Sequence, residues 1–109
     1  MFNRDKLVGQ YLYAIKVIDI DEGNKNGLII VTDGEVVILE LSAEYCHDCW
    51  VTEIPPIIYQ GIITEVQDSG YLLTITTVTG RNDIEARAEW GYETYWNERG
   101  KYKYYEKSK

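Results

Sequence analysis

The sequence predicts a mostly β fold, with room for an α+β arrangement: a single antiparallel sheet or small barrel of about seven strands, built from hairpins, with at most short helical turns. Three observations predict it. Apolar residues recur with period two or in short continuous runs, and hardly ever with the 3.6 period of a helix. Turn signals such as Asp33-Gly34 and Asp68-Ser69-Gly70 separate those runs at short intervals. The pair Pro55-Pro56 stops one run where a ladder could not continue.

Taken in order, "YLYAIKVIDI" (11–20) alternates through Tyr11, Tyr13, Ile15 and Val17, then changes face at Ile18 and Ile20, which suggests a bulge. "LIIVTD" and "EVVILEL" flank Asp33-Gly34, the strongest local hairpin signal in the chain. "CWVTEI" (49–54) reads as a short strand ended by the prolines. "IIYQGIITEVQ" and "YLLTITTVTG" flank the turn at 68–70, the second run being rich in β-branched residues that suit a pleated surface. In "DIEARAEWGYET", Ile84, Ala86, Ala88, Trp90 and Tyr92 fall on one face, which assigns Trp90 and Tyr92 to the core. "NERG" (97–100) is expected to turn the chain and "KYKYYEK" (101–107) to return it. Short helical turns are expected only within 2–10 and 43–48.

A chain of 109 residues suits one domain, 1–109, and its 45% apolar content is enough for a core. No run of uncharged apolar residues is long enough for a spanning helix, and "MFNRDKLVGQ" lacks the apolar centre of a secretion signal. With two cysteines and no such signal, reduced thiols in a cytoplasm are expected. The net charge of −7 is uneven: residues 1–84 hold 13 acids and 5 bases, whereas 85–109 hold 5 acids and 6 bases. An acidic body speaks against direct nucleic-acid binding, which needs cations for phosphates, and suits a basic protein partner. Simple solubility would explain the same charge.

Both cysteines and the only histidine stand together in Cys46-His47-Asp48-Cys49. Structural zinc wants four ligands, commonly as two separated pairs, and no second pair exists in the chain. A Cys-x-x-Cys redox couple wants the start of a helix in a βαβ unit, and Glu44 and Asp48 would raise a thiol pKa instead of lowering it. The reading adopted is a crossing between strands in which Cys46 and Cys49 are small buried groups, with no metal and no cofactor.

At this segment the chain resembles a domain-of-unknown-function family of small β-rich proteins from bacteria and their phages. That family's motif runs approximately His-x-x-Asp-Cys-Cys-Glu-x-Val-x-Ile-Glu-Asp. Glu44-Tyr45-Cys46-His47 would stand for Asp-Cys-Cys-Glu, and Trp50-Val51-Thr52-Glu53-Ile54 for the acidic strand. "TTVTGRNDIEARAEWGY" and "GKYKYYE" are similar to the family's closing strands, so the resemblance spans about residues 7–106. The family's leading histidine falls at Leu41 and its first cysteine at Tyr45, leaving only Cys46 of the motif. The resemblance implies a small accessory protein of a phage or mobile element, acting in the cytoplasm of a bacterial host, and no particular activity.

Catalytic signatures are missing from the sequence. There is no Gly-x-Gly-x-x-Gly or Walker loop, and no Gly-x-Ser-x-Gly elbow to serve His47. "DIDEGNKNG" has Ile30 where a calcium loop counted from Asp19 needs its twelfth-position glutamate. No enzyme is expected, and no catalytic residue is assigned. Tyrosines, tryptophans, arginines and lysines crowd the C-terminal stretch, as they do at interface hot spots, although cross-strand packing would use the same aromatics. The expectation is therefore an inhibitor that occupies a host protein, one that handles nucleic acid being the natural target. Its expected contacts are Asp19, Asp21, Glu22, Glu44, Asp48 and Glu53 with Tyr95, Trp96, Tyr102 and Tyr105. One alternative is a binder of nucleotide signals through Arg87, Arg99 and Tyr104; another is a metal-stabilised homodimer through Cys46 and Cys49.

Overall fold

The computed structural model describes residues 2–20, 26–43, 49–69, 71–91 and 93–99. Among them are eight strands: β1 (Tyr11–Ile18), β2 (Gly27–Thr32), β3 (Val36–Ala43), β4 (Cys49–Glu53), β5 (Gly61–Asp68), β6 (Leu72–Thr77), β7 (Gly80–Ala88) and β8 (Thr94–Arg99). They form one open antiparallel sheet in the order β4-β7-β6-β5-β1-β2-β3-β8, not a closed barrel. Helical structure among the described residues is confined to the 3-10 turns Arg4–Leu7 and Glu89–Gly91, the first inside the expected stretch 2–10. The other expected stretch, 43–48, lies outside the described residues from 44 onward.

The Asp33-Gly34 hairpin is as the sequence predicts. Val31 pairs with Val36, and the Thr32 amide donates to the Glu35 carbonyl at 2.9 Å. The Thr32 hydroxyl oxygen accepts from the amides of Gly34 (3.2 Å) and Glu35 (3.1 Å), which ties the turn from inside. Between the two halves of the sheet, β1-β2-β3-β8 and β5-β6-β7-β4, the ladder pairs among the described residues are Tyr11↔Ile62 and Leu12↔Gly61 alone. Their inner faces share one core containing Leu12, Ile30, Leu39, Ile63, Ile75 and Ile84, so the sheet folds over on itself at that junction.

β2 is apolar on both faces. Leu28 and Ile30 enter the main core, while Ile29 joins Ile38 in a second cluster on the opposite face, flanked by Ile18, Ile20, Val31 and Val36. A strand covered twice reads as a continuous apolar run, which is what "LIIV" is. The same cluster corrects the reading of β1. Ile18 and Ile20 need no bulge to leave the main core, because a second apolar face receives them. The register shift lies between Leu12 and Ala14 instead, so Leu12, not Tyr13, points inward, and the rings of Tyr11 and Tyr13 lie 4.9 Å apart.

The C-terminal third departs furthest from expectation. β7 ends at Ala88, and Trp90 is 88% exposed with φ of 60°, not in the core. The chain must leave the β6-β7 ladder there to reach β3, and a left-handed residue makes the reversal. Trp96 goes the other way: expected as a contact residue, it is buried in the core at 1% exposure, opposite Leu41. Asn97, Glu98 and Arg99, read as a turn, are strand residues paired to β3. Residues 100–107 and Tyr92 lie outside the described residues.

The approach to β5 is held by one buried polar side chain. Asn82, fully buried on β7, accepts from the Tyr59 amide at 2.8 Å and donates to the carbonyls of Tyr59 (3.1 Å) and Ile75 (3.0 Å). Replacing it leaves buried backbone groups unpaired, at about 1–3 kcal/mol each. Asn82→Ala is therefore expected to cost about 3 kcal/mol in denaturant unfolding, and a loss below about 1 kcal/mol would show that the loop is held by something else. Gly61 has φ of +138°, and a Cβ there would sit 3.1 Å from Val78 Cγ2. Gly61→Ala is expected to cost about 1–3 kcal/mol by the same measurement, and a neutral result would mean that the junction can relax.

Candidate functional site

β1 leaves β5 after Leu12, and from Ala14 to Ile18 its ladder partner is β2 alone. The end of β1 thus stands free of the other half-sheet, and the end of β4 lies across from it. Between them is an open cleft of about 570 Å³ lined by Val17, Asp19, Val51, Thr52, Glu53 and Ile54. β4 carries a register shift between Val51 and Glu53, so Thr52 is the extra residue and Glu53 falls opposite Glu85 of β7. Val51 remains buried, while Thr52 and Glu53 are exposed. Pro55 and Pro56 follow, consistent with a strand that stops at the rim.

Like charges meet at this end of the sheet. Glu53 and Glu85 are like charges directly opposite on adjacent strands, an arrangement that destabilises a ladder. The hydrogen bond to Glu53 pushes the Glu85 carboxyl above its ordinary pKa of 4.5, with burial and the Glu53 charge adding to the rise and Arg87 opposing it. No salt bridge among the described residues involves Asp19 or Glu53. Four acids elsewhere in the fold, Glu35, Glu40, Asp83 and Glu98, are matched by cations. Lys6 bridges Glu98 and Glu35 (3.2 Å to the latter), Arg81 meets Asp83 at 3.0 Å, and Arg99 meets Glu40 at 2.9 Å.

Of the residues singled out in the sequence, the structure brings Asp19 and Glu53 to one cleft. Asp21, Glu22, Glu44, Asp48, Tyr102, Tyr104 and Tyr105 lie outside the described residues. Tyr95 is 38% exposed on β8, next to the buried Trp96. Arg87 stands one residue from the end of β7, and Arg99 closes β8. Arg99 is moreover engaged by Glu40.

Cys49 is buried, and its Sγ donates to the Leu41 carbonyl at 3.1 Å, a small packed group between β4 and β3. Cys46 and His47 lie outside the described residues. Among the described residues, no three His, Cys, Asp or Glu side chains are grouped to hold a metal ion, and no helix is long and apolar enough to cross a membrane. Comparison with protein-family models, with curated proteins and with solved structures finds no match to this chain.

Sequence reading selected the two carboxylates but missed the apolar walls of their cleft, Val17, Val51 and Ile54. Nothing local marks Val17 as facing a gap, since its alternation is that of any core strand. The double proline was the available signal, because it places the end of β4 at a rim.

The Glu53–Glu85 pair generates a pH prediction. A carboxyl with a raised folded pKa favours folding when protonated, so stability falls as pH rises from 4.5 through that raised pKa. Glu85→Gln removes this loss. Its melting temperature is expected to exceed that of the wild type at pH 7 and to converge with it below pH 4.5; an unchanged difference across that range would show that the two carboxyls do not interact.

Proposed function

We propose that this chain is a non-enzymatic binding protein that occupies the surface of a cationic protein partner, in the cytoplasm of a bacterial cell. The observation that carries the reading is the pairing of Asp19 with Glu53 on one cleft, neither in a salt bridge among the described residues, in a fold whose structural acids Glu35, Glu98, Glu40 and Asp83 have cations. Carboxylates left unmatched at a rim supply the complementary potential that steers a basic surface into place. The excess of 18 acids over 11 bases extends the same field across the molecule.

A host protein that handles nucleic acid is the partner class this favours. Its phosphate-binding lysines and arginines would be engaged by carboxylates in place of a nucleic-acid backbone. The resemblance to bacterial and phage accessory proteins makes a defence protein the natural example. A nucleotide-binding role for Arg87 and Arg99 has less support, because Arg99 already meets Glu40.

The test is capture from bacterial lysate on immobilised protein, with wild type compared to the double variant Asp19→Asn, Glu53→Gln. A stoichiometric partner is expected that elutes as salt rises from 0.05 to about 0.5 M, as the screening length shrinks from about 14 Å to about 4 Å, and that the double variant retains poorly. Capture unaffected by salt and by the variant would overturn the reading.

A further inference from the structure

Resting on that proposed function, we infer that the cleft between the ends of β1 and β4 receives an arginine side chain presented by the partner protein. Three features select that occupant. The first is the composition of the walls. Val17, Val51 and Ile54 offer apolar surface for a methylene stem, while the carboxylates of Asp19 and Glu53 and the hydroxyl of Thr52 offer acceptors for its head. Long cationic side chains bind in this divided manner, with the stem on apolar surface and the charge on polar groups. Of the two, arginine presents a planar fork of donors that can satisfy several oxygens at once, whereas lysine is a compact point charge.

The second feature is shape. A free small molecule is held by enclosure of most of its surface, and this cleft is open on one side. A side chain carried by a protein does not need that enclosure, because the partner's own surface closes the mouth. The third is charge. A divalent cation would need a grouping of oxygen ligands, and the described acids and histidine or cysteine side chains form no such group of three. The guanidinium asks for less, and it would also offset the repulsion between Glu53 and Glu85, which face each other across the ladder with Arg87 as a partial counter-charge.

The test uses the whole chain at low ionic strength and two tripeptides, N-acetyl-Val-Arg-Val-amide and the same peptide with citrulline, a neutral isostere, in place of arginine. Binding is followed by amide chemical shifts in two-dimensional NMR. Saturable shifts are expected at Val17, Val51, Thr52 and Ile54 with the arginine peptide, and binding about tenfold weaker with citrulline. Asp19→Asn and Glu53→Gln, both at exposed positions, should each weaken the arginine peptide severalfold while leaving the remaining spectrum unchanged. No saturable shift, equal binding of the two peptides, or shifts centred away from the cleft would each overturn the inference. Should lysate capture still depend on salt and on the double variant while the tripeptide fails to bind, the arginine occupant is overturned and the broader reading stands. Loss of both overturns both.

Discussion

Everything in this fold depends on a joint of two residue pairs. Among the described residues, Tyr11↔Ile62 and Leu12↔Gly61 are the only ladder contacts between the half-sheets, yet the halves share a single core. Such a short joint needs reinforcement, and irregular backbone supplies it. The Gly9 amide donates to the Ile63 carbonyl and the Ile63 amide to the Gln10 carbonyl, both at 2.8 Å, beside the fully buried Leu7. Gly61, at φ of +138°, lets β5 begin in a conformation that other residues rarely adopt. The N-terminal 3-10 turn therefore works as a clasp over the joint. Lys6, from that turn, bonds Glu98 of β8 and Glu35 of the β2–β3 turn, and Gln10 donates to Glu35 and accepts from the Thr32 hydroxyl. The Glu98 hydrogen bond, with that of Glu35, raises the Lys6 pKa against the opposing effect of burial. A raised lysine contributes fully below its unfolded pKa and loses that contribution only in strong alkali, so the clasp is complete at neutral pH.

The cleft is the geometric cost of that joint. Had β1 paired with β5 along its whole length, the region beyond Ala14 would be filled by a continuous ladder. Because the pairing stops at Leu12, the two half-sheets diverge, and Val17 and Asp19 are left across a gap from β4. The bulge at Thr52 then brings Glu53 to the rim opposite Glu85. Site and fold therefore arise from the same departure from regular pairing. A bulge beside an open edge is also where proteins commonly redirect a side chain.

How much of this could be read in advance follows from the range of the interactions concerned. Hairpins were legible because their signals are local: Asp33-Gly34, Asp68-Ser69 and the proline stop each act within a few residues. Trp90 and Trp96 were misplaced because their environments are set by a strand far away in sequence. β8 joins β3, not β7, and alternation counted from Ile84 loses its meaning once the chain leaves the β6-β7 ladder. Tyr13 misled for a related reason, since one bulged residue inverts the phase of everything on one side of it. Asn82 was visible but unremarked: it has the same parity as Ile84, Ala86 and Ala88, and a lone amide on a core face calls for buried partners. Asp19 and Glu53 could be chosen for their charge, but their convergence required the half-sheets to fold over, which no local pattern encodes.

The acids of this chain thus divide by what their geometry asks of them. Glu35, Glu40 and Glu98 face cations from other strands or turns, Asp83 meets Arg81 of its own strand, and the fold thus draws on Lys6, Arg81 and Arg99 to match them. With 18 acids and 11 bases, internal pairing cannot neutralise every carboxylate, so the excess must sit where water or another molecule solvates it. Spread evenly, such an excess would serve solubility alone. Asp19 and Glu53 instead line one cleft with apolar walls, and a second carboxyl, Glu85, stands directly opposite Glu53 across the ladder. Repulsion at a defined edge costs stability in the free chain and is relieved by a cation placed there. On the proposed function, a surface built that way is more stable when covered than when bare.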